Sequence, residues 1–333
     1  MTKSKVLTIA LVIVLAGLAV AAWFMFSSTA AGIEYANADK YTIGDTTVTG
    51  RVENLFVDWT SGEVNVEYHA GEGIFISETA NKALAEDDKL RWWLDGTTLR
   101  IRYAKSGLRL SFNLEKKLTV SLPEGTVLNS ADLSTTSGDL KIPALAADEI
   151  RLGSTSGNIF AVTSGAKKLT ASSTSGDVNV EQSTDTDTAD LGSTSGSIAC
   201  KLGHVKTLTA GSTSGSISVT TTGSAGYVKM GSTSGNLYPE IASVDKADMN
   251  STSGSVTGSV ASFTELKAGS TSGSVTLKLP AEPGFTLKAG TTSGSFNSGL
   301  ALAKDGDTYT CGDGSARCSI DTTSGNIRID PVR

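Results

Sequence analysis

The most repeated reactive group in this chain is a serine hydroxyl. Thr-Ser-Gly recurs eleven times at near-regular spacing or on the same template, with its glycine at positions 62, 138, 157, 176, 196, 215, 235, 254, 273, 294 and 325, and occurs once more out of that spacing at Gly165. A serine becomes a nucleophile only beside a base that takes its proton. The chain has two histidines, His69 and His204, far apart in sequence, and no base recurs with the serine. A hydroxyl repeated so often without one reads as structural, and no catalytic residue is expected. Enzymes built on stacked strands gather Asp, Glu, Arg or Lys on one outer face for acid-base work. A carbohydrate-active enzyme is therefore the competing class, and outward carboxylates brought together by stacking would revive it.

Other groups have chemistry open to them. Asp305-Gly306-Asp307 and Asp313 could ligate calcium through oxygen, but the spacing is not that of a calcium loop. Asp-Gly is an ordinary turn dipeptide, so no metal and no cofactor are expected. Cys311 and Cys318 could form a local disulfide outside the cytoplasm, and a buried thiol is the rival reading for Cys318. Cys200 reads as a small core residue. The one aromatic and basic concentration is Arg91, Trp92, Trp93, Arg100, Arg102 and Tyr103. Alternation puts Trp92 with Leu90 and Leu94 on one face, and Trp93 with Arg91 on the other. Trp93 is either an exposed platform for a sugar ring or a protein, or a ring packed beneath a capping segment.

The spacing of the glycines explains what must position these groups. From Gly138 to Gly294 the steps are 19, 19, 20, 19, 20, 19, 19 and 21 residues. A period near twenty marks a solenoid whose coils bury their apolar faces only against one another. Two residues after the glycine stand Leu140, Ile159, Val178, Ile198, Ile217, Leu237, Val256, Val275, Phe296 and Ile327. Apolar residues also stand seven and five positions before it, as in Ile150/Leu152 and Val228/Met230. Period-two alternation means half-buried strands. Carried through the corner, it puts Ser154 and Ser156 inward, with their equivalents, and Thr155, Thr174, Thr194, Thr213 and Thr233 outward. The glycine is expected to turn the corner by adopting positive φ. An outward threonine line raises ice binding and O-linked sugars as alternatives. Ice-binding arrays use Thr-x-Thr, however, and the matching neighbour here is usually glycine, as at Gly153, Gly192 and Gly211.

Before the repeats, Lys3 and Lys5 precede Val6–Phe26, 21 residues without a charge. That length crosses a bilayer as one helix with the lysines on the cytoplasmic side. A cleaved signal peptide, with secretion of the remainder, is the alternative. The expected organisation is a cytoplasmic stub at 1–5, a transmembrane anchor or signal at 6–26, and a linker at 27–45. An irregular capping β region at 46–130 follows, then a regular solenoid at 131–333 with an insertion at 300–316. Leu55–Val66 follows the coil template with Trp59 inward, and Leu90–Leu94 with Thr98–Tyr103 forms a hairpin turned by Asp95-Gly96. The fold class is all-β, a single parallel β-helix-like solenoid of about 19–20 residues per coil after one transmembrane helix. A net charge of −6 argues against general nucleic-acid binding.

The run Phe56-Val57-Asp58-Trp59-Thr60-Ser61-Gly62-Glu63-Val64, the Asp95–Ile101 turn, Leu118–Gly125 and the Thr-Ser-Gly-Asp/Asn/Ser repeats resemble the bacterial putative-adhesin β-strand-repeat family over residues 40–333. That is a family of unknown function found in cell-envelope proteins, some of them in envelope-stress systems. The resemblance implies a β-solenoid at the cell surface and supplies no catalytic residues. The combined expectation is a non-enzymatic, membrane-anchored extracellular module, adhesin-like or acting in envelope interaction or stress response. Its partners would be the membrane and either an envelope polysaccharide or another surface protein. The expected binding surface is Trp93, Arg91 and the outward threonines.

Overall fold

The computed structural model describes residues 35–106 and 114–332. The stub and proposed membrane segment at 1–26 lie outside the described residues, as do residues 27–34 of the linker. Among the described residues no helix is long and apolar enough to cross a membrane. The chain forms two compact units, residues 35–182 and 183–332.

In the N-terminal unit β1 (Thr42–Ile43) and β2 (Thr46–Val48) lead into β3 (Asn54–His69), a whole coil in one strand. Then come β4 (Ile74–Ala80), β5 (Arg91–Asp95), β6 (Thr98–Arg102) and β7 (Lys116–Pro123). The regular coils follow as β8 (Leu128–Ser137), β9 (Leu140–Ser154), β10 (Ile159–Ser164), β11 (Lys168–Ser173) and β12 (Val178–Gln182). The coil β6–β7 does not follow β3 in space. It pairs with the outer side of β3, whose other side takes β8 and β9. β5 and β4 then cover β6 and β7 antiparallel, and β1 and β2 cover those in turn. An open parallel edge is a template for other chains, and these antiparallel strands close it. The 46–130 region is thus two coils plus their covers.

The C-terminal unit repeats the device. Its strands are β13 (Thr186–Ser193), β14 (Ile198–Leu202), β15 (Val205–Ser212), β16 (Ile217–Ser232), β17 (Leu237–Ser251), β18 (Val256–Val260), β19 (Phe263–Ser270) and β20 (Val275–Leu279). They continue as β21 (Gly284–Thr291), β22 (Phe296–Ser298), β23 (Ala303–Asp305), β24 (Thr308–Gly312), β25 (Ala316–Thr322) and β26 (Ile327–Pro331). The last coil, β25–β26, slides between β19–β20 and β21–β22. The 300–316 insertion is the β23–β24 hairpin, laid antiparallel on β21. Its turn is Asp305-Gly306-Asp307, with Gly306 at φ 56°.

Inward positions follow the sequence. Leu140, Ile159, Val178, Ile217, Leu237, Val256, Val275 and Ile327 are all buried, while Phe296, on the outermost coil, is only half-buried. Burying such side chains stabilises by about 1.5–3 kcal/mol each. Trp59 is fully buried and donates its indole N–H to the Lys116 carbonyl at 3.2 Å.

The corner differs from the sequence expectation in two ways. Strand geometry stops at the first serine of each Ser-Thr-Ser-Gly, so alternation does not carry through the bend that follows. Ser154 is buried, Thr155 half-buried and Ser156 exposed, and the other regular coils agree. The repeat glycines are also not chosen for positive φ, which among them only Gly62 adopts (93°). They are required by close approach: a Cβ at Gly157 would lie 1.8 Å from the Gly138 carbonyl oxygen, and one at Gly235 1.9 Å from that of Gly215.

The buried serine ties the corner together. Ser154 Oγ accepts the N–H of Gly157 at 2.7 Å and donates to the Gly138 carbonyl of the neighbouring coil at 3.4 Å. Ser173 does the same with Gly176 and Gly157. In the C-terminal unit Ser212, Ser232, Ser251 and Ser270 repeat it, and Thr291 closes the series on Gly325. A second ladder runs through the residue after the glycine, where Asp139 Oδ1 accepts Asn158 N–H (2.8 Å) and Asn158 Oδ1 accepts Asp177 N–H (2.9 Å).

Replacing Ser212 by Ala leaves a buried donor and acceptor unpaired, which costs about 1–3 kcal/mol. Replacing the exposed Ser214 by Ala is expected to cost no more than about 0.5 kcal/mol. Denaturant unfolding of the two variants checks this, and equal losses would return both serines to the same environment.

Candidate functional site

With the hydroxyls of the buried corner serines engaged, the side chains free to meet a partner are those on the outer faces. The densest group lies in the N-terminal unit across β5, β6, β3, β8 and β9. Register aligns Trp93, Arg100, Phe56, Asp132 and Arg151 in one row, and Arg91, Arg102, Asp58 and Ser134 in the next. The Arg100 and Arg102 guanidiniums lie 5.4 and 5.0 Å from the Phe56 ring centroid, and Arg102 also lies 5.2 Å from the Tyr35 ring. Such cation–π contacts are worth about 0.5–2 kcal/mol depending on exposure.

Trp93 falls between its two sequence readings. It is half-buried, its edge meets Tyr41 at 5.7 Å, and Lys40 Nζ stands 5.0 Å from its ring. The segment from Tyr35 to Ile43 therefore covers part of the indole and adds its own aromatic rings to the face. Sequence reasoning missed Tyr35, Tyr41 and Phe56. The first two precede the repeats, and although alternation with inward Leu55, Val57 and Trp59 turns Phe56 outward, only strand register sets its ring beside Arg100.

Arg91 departs from expectation. It is 5 % exposed, donates to the Glu86 carbonyl at 3.2 Å and lies 3.7 Å from Asp87, so it braces the face from beneath and does not present itself to a partner. The physical reason is the neighbouring 3-10 turn Glu86–Asp88, which supplies its acceptors. Trp92, expected in the core, is half-buried, and its indole nitrogen has no hydrogen-bond partner among the described residues.

Outward carboxylates do meet on this face. Asp58 forms an ion pair with Arg102. Burial pushes its carboxyl above the ordinary aspartate value despite that arginine. Burial also raises Asp132, with the negative charges of Asp58 and Glu149 adding to the effect and Arg151 opposing it.

The threonines Thr155 and Thr174 in the N-terminal unit, and Thr194, Thr213 and Thr233 in the C-terminal unit, are half-buried. Each is flanked by an exposed serine, as at Ser156 and Ser214. Their backbones stay in the ladder, with Thr155 N–H donating to Thr135 O and Thr174 N–H to Ser154 O. Cys311 and Cys318 are free and buried. They pair with Phe285 and Leu287 on opposite edges of β21, so a strand separates them and no bond joins them. Burial pushes the Cys200 thiol up to about 12 and raises Cys311 and Cys318 as well, which keeps all three as weakly reactive thiols. No group of three metal-ligating side chains occurs among the described residues.

A carboxyl whose folded pKa exceeds its unfolded value binds more protons when folded, so its contribution falls as pH rises between the two values. Asp132 is such a group, with its fall beginning near 3.8. Asp132→Asn removes it, so the stability of the variant relative to the parent should increase as pH rises above about 4. Thermal unfolding at stepped pH measures this, and a pH-independent difference would contradict the assignment.

Against known proteins, the Toastrack DUF4097 family matches residues 52–265 and 242–330. No curated protein matches. Among solved structures, one described as a putative adhesin from Parabacteroides distasonis shares 14 % identity at a TM-score of 0.45, covering 88 % of this chain and 97 % of that one. A putative cell adhesion protein from Clostridium sporogenes shares 14 % identity at 0.22, covering 88 % and 100 %. A putative adhesin from Bacteroides fragilis shares 14 % at 0.31, covering 90 % and 100 %. At such identities and TM-scores, what those proteins are called does not transfer to this chain.

Proposed function

Because the chain belongs to the Toastrack DUF4097 family, we propose that it is a non-enzymatic, adhesin-like module of the cell envelope. Its coils form a rigid framework, and its outer faces bind. The observation that supports this is a division of labour among side chains. The buried hydroxyl at each corner is spent on the ladder, while aromatic rings and guanidiniums gather on the outer face of β5, β6 and β3. Aromatic and arginine side chains are those that most often dominate binding energy.

The enzyme reading would draw on Asp58 and Asp132, the outward carboxylates of neighbouring strands. Asp58 is engaged by Arg102, which leaves it a poor free acid or base. Residues 6–26 would hold the module on the outer side of the membrane, with an envelope polysaccharide or a surface protein as partner.

The test is saturable binding of the purified chain to isolated bacterial envelope and to its separated polymers. Trp93→Ala should weaken that binding about tenfold without lowering the thermal midpoint appreciably. Binding untouched by Trp93→Ala and Phe56→Ala, or no binding by folded protein, would contradict the proposal.

A further inference from the structure

A second outer surface of the N-terminal unit has a different character. On β10 the outward side chains Phe160 and Val162 are 42 % and 46 % exposed. They form the floor of a groove of about 450 Å³ with Pro143 and Ala161, within the size range of small-molecule sites. Two features show that it is more than a bare sheet face.

The first is its rim. Register sets Phe160 directly between Lys141 on β9 and Asn179 on β12, and sets Val162 beside Glu181. Neighbouring strands lie about 4.8 Å apart, so each polar group stands one strand from an apolar one. Lys141 is neutralised by Glu63. The Asn179 carboxamide and Glu181 carboxylate have no hydrogen-bond or ion-pair partner among the described residues. The second is a break in register. Ala161 pairs with Ile142 and Thr163 with Leu145, so β9 carries an extra residue at Pro143-Ala144 opposite Val162. Such bulges re-aim side chains and are frequent beside binding sites.

We propose that this groove binds a neutral pyranose chain of equatorial configuration. The apolar face of such a ring stacks on Phe160, and its hydroxyls reach Asn179 and Glu181. Other occupants fit less well. A peptide strand cannot add here, because both edges of β10 are already paired. An acyl chain would cover Asn179 and Glu181 without offering them a hydrogen bond. A polyanion meets an unpaired carboxylate and a lysine already neutralised. The proposal does not rest on the Trp93 face, so either can fail alone.

The test is calorimetric titration of the whole chain, in a detergent without a sugar headgroup, with cellohexaose, chitohexaose and dodecanoate as probes. At least one hexasaccharide should bind saturably. Phe160→Ala should weaken it about tenfold and Asn179→Ala by less, with circular dichroism unchanged in both. Phe75→Ala, which removes an exposed ring on β4 of the same unit, should leave it unchanged. Failure of both hexasaccharides to bind at millimolar concentration would overturn the proposal. Binding indifferent to Phe160→Ala, or dodecanoate alone binding at Phe160, would do the same.

Discussion

One hydroxyl per coil holds the corner of this fold. In the Ser-Thr-Ser-Gly coils the serine three residues before the glycine accepts that glycine's N–H and donates to the glycine carbonyl of the adjacent coil, and Thr291 does the same for Gly294. Parallel coils must approach closely at the corner for this to happen, and the approach leaves no room for a side chain. The glycine and the buried serine are therefore one device. Without the hydroxyl, a backbone donor and acceptor would be buried unpaired, and without the glycine the coils could not meet. A net hydrogen bond contributes about 0.5–1.5 kcal/mol, and each bond here recurs with the coil, which is why so short a motif is written so often.

A ladder of this kind needs an end. In the N-terminal unit the outermost coil carries Lys116 in register with Gly62. Its fully buried ammonium pairs with Glu78 at 2.6 Å, donates to the carbonyls of Asp88 and Tyr103, and lies over the Trp59 and Tyr103 rings. Among the described residues no further coil presses on that position, so a long side chain can stand where glycine stands elsewhere. Breaking a buried pair of this sort costs about 3–5 kcal/mol, which makes the end of the stack as specific as its middle. The C-terminal unit ends differently, by inserting its last coil one place inward and covering β21 with a hairpin.

Much of this was legible in the sequence. The period near twenty, the alternation around Ile159 or Val178 and the inward Trp59 follow from residue types alone, because burial of one strand face imposes period two. Three features were not. The inward place given to Ser156 failed because alternation describes extended backbone and the chain bends between Ser154 and Gly157. The order of coils at both ends was hidden because sequence periodicity cannot tell a coil that follows its predecessor from one that slips behind it, as β6–β7 and β25–β26 do. Arg91 was misplaced because its acceptors come from a short turn, Glu86–Asp88, that no repeat predicts. The candidate surfaces were legible only in part. Trp93 stood out by composition, whereas Phe56, Tyr41 and the Phe160 groove depend on which strands lie side by side.

The measurement that tests the central claim is amide hydrogen exchange at the corner glycines, read residue by residue in the native chain. If the serine ladder holds the coils together, the N–H groups of Gly157, Gly176, Gly215, Gly235, Gly254 and Gly273 are as protected as those of the strands around them. The N–H of Gly306, at the exposed tip of the β23–β24 hairpin, exchanges quickly. Corner glycines that exchange as fast as Gly306 would contradict the account, since their donors would then be meeting water and not serine.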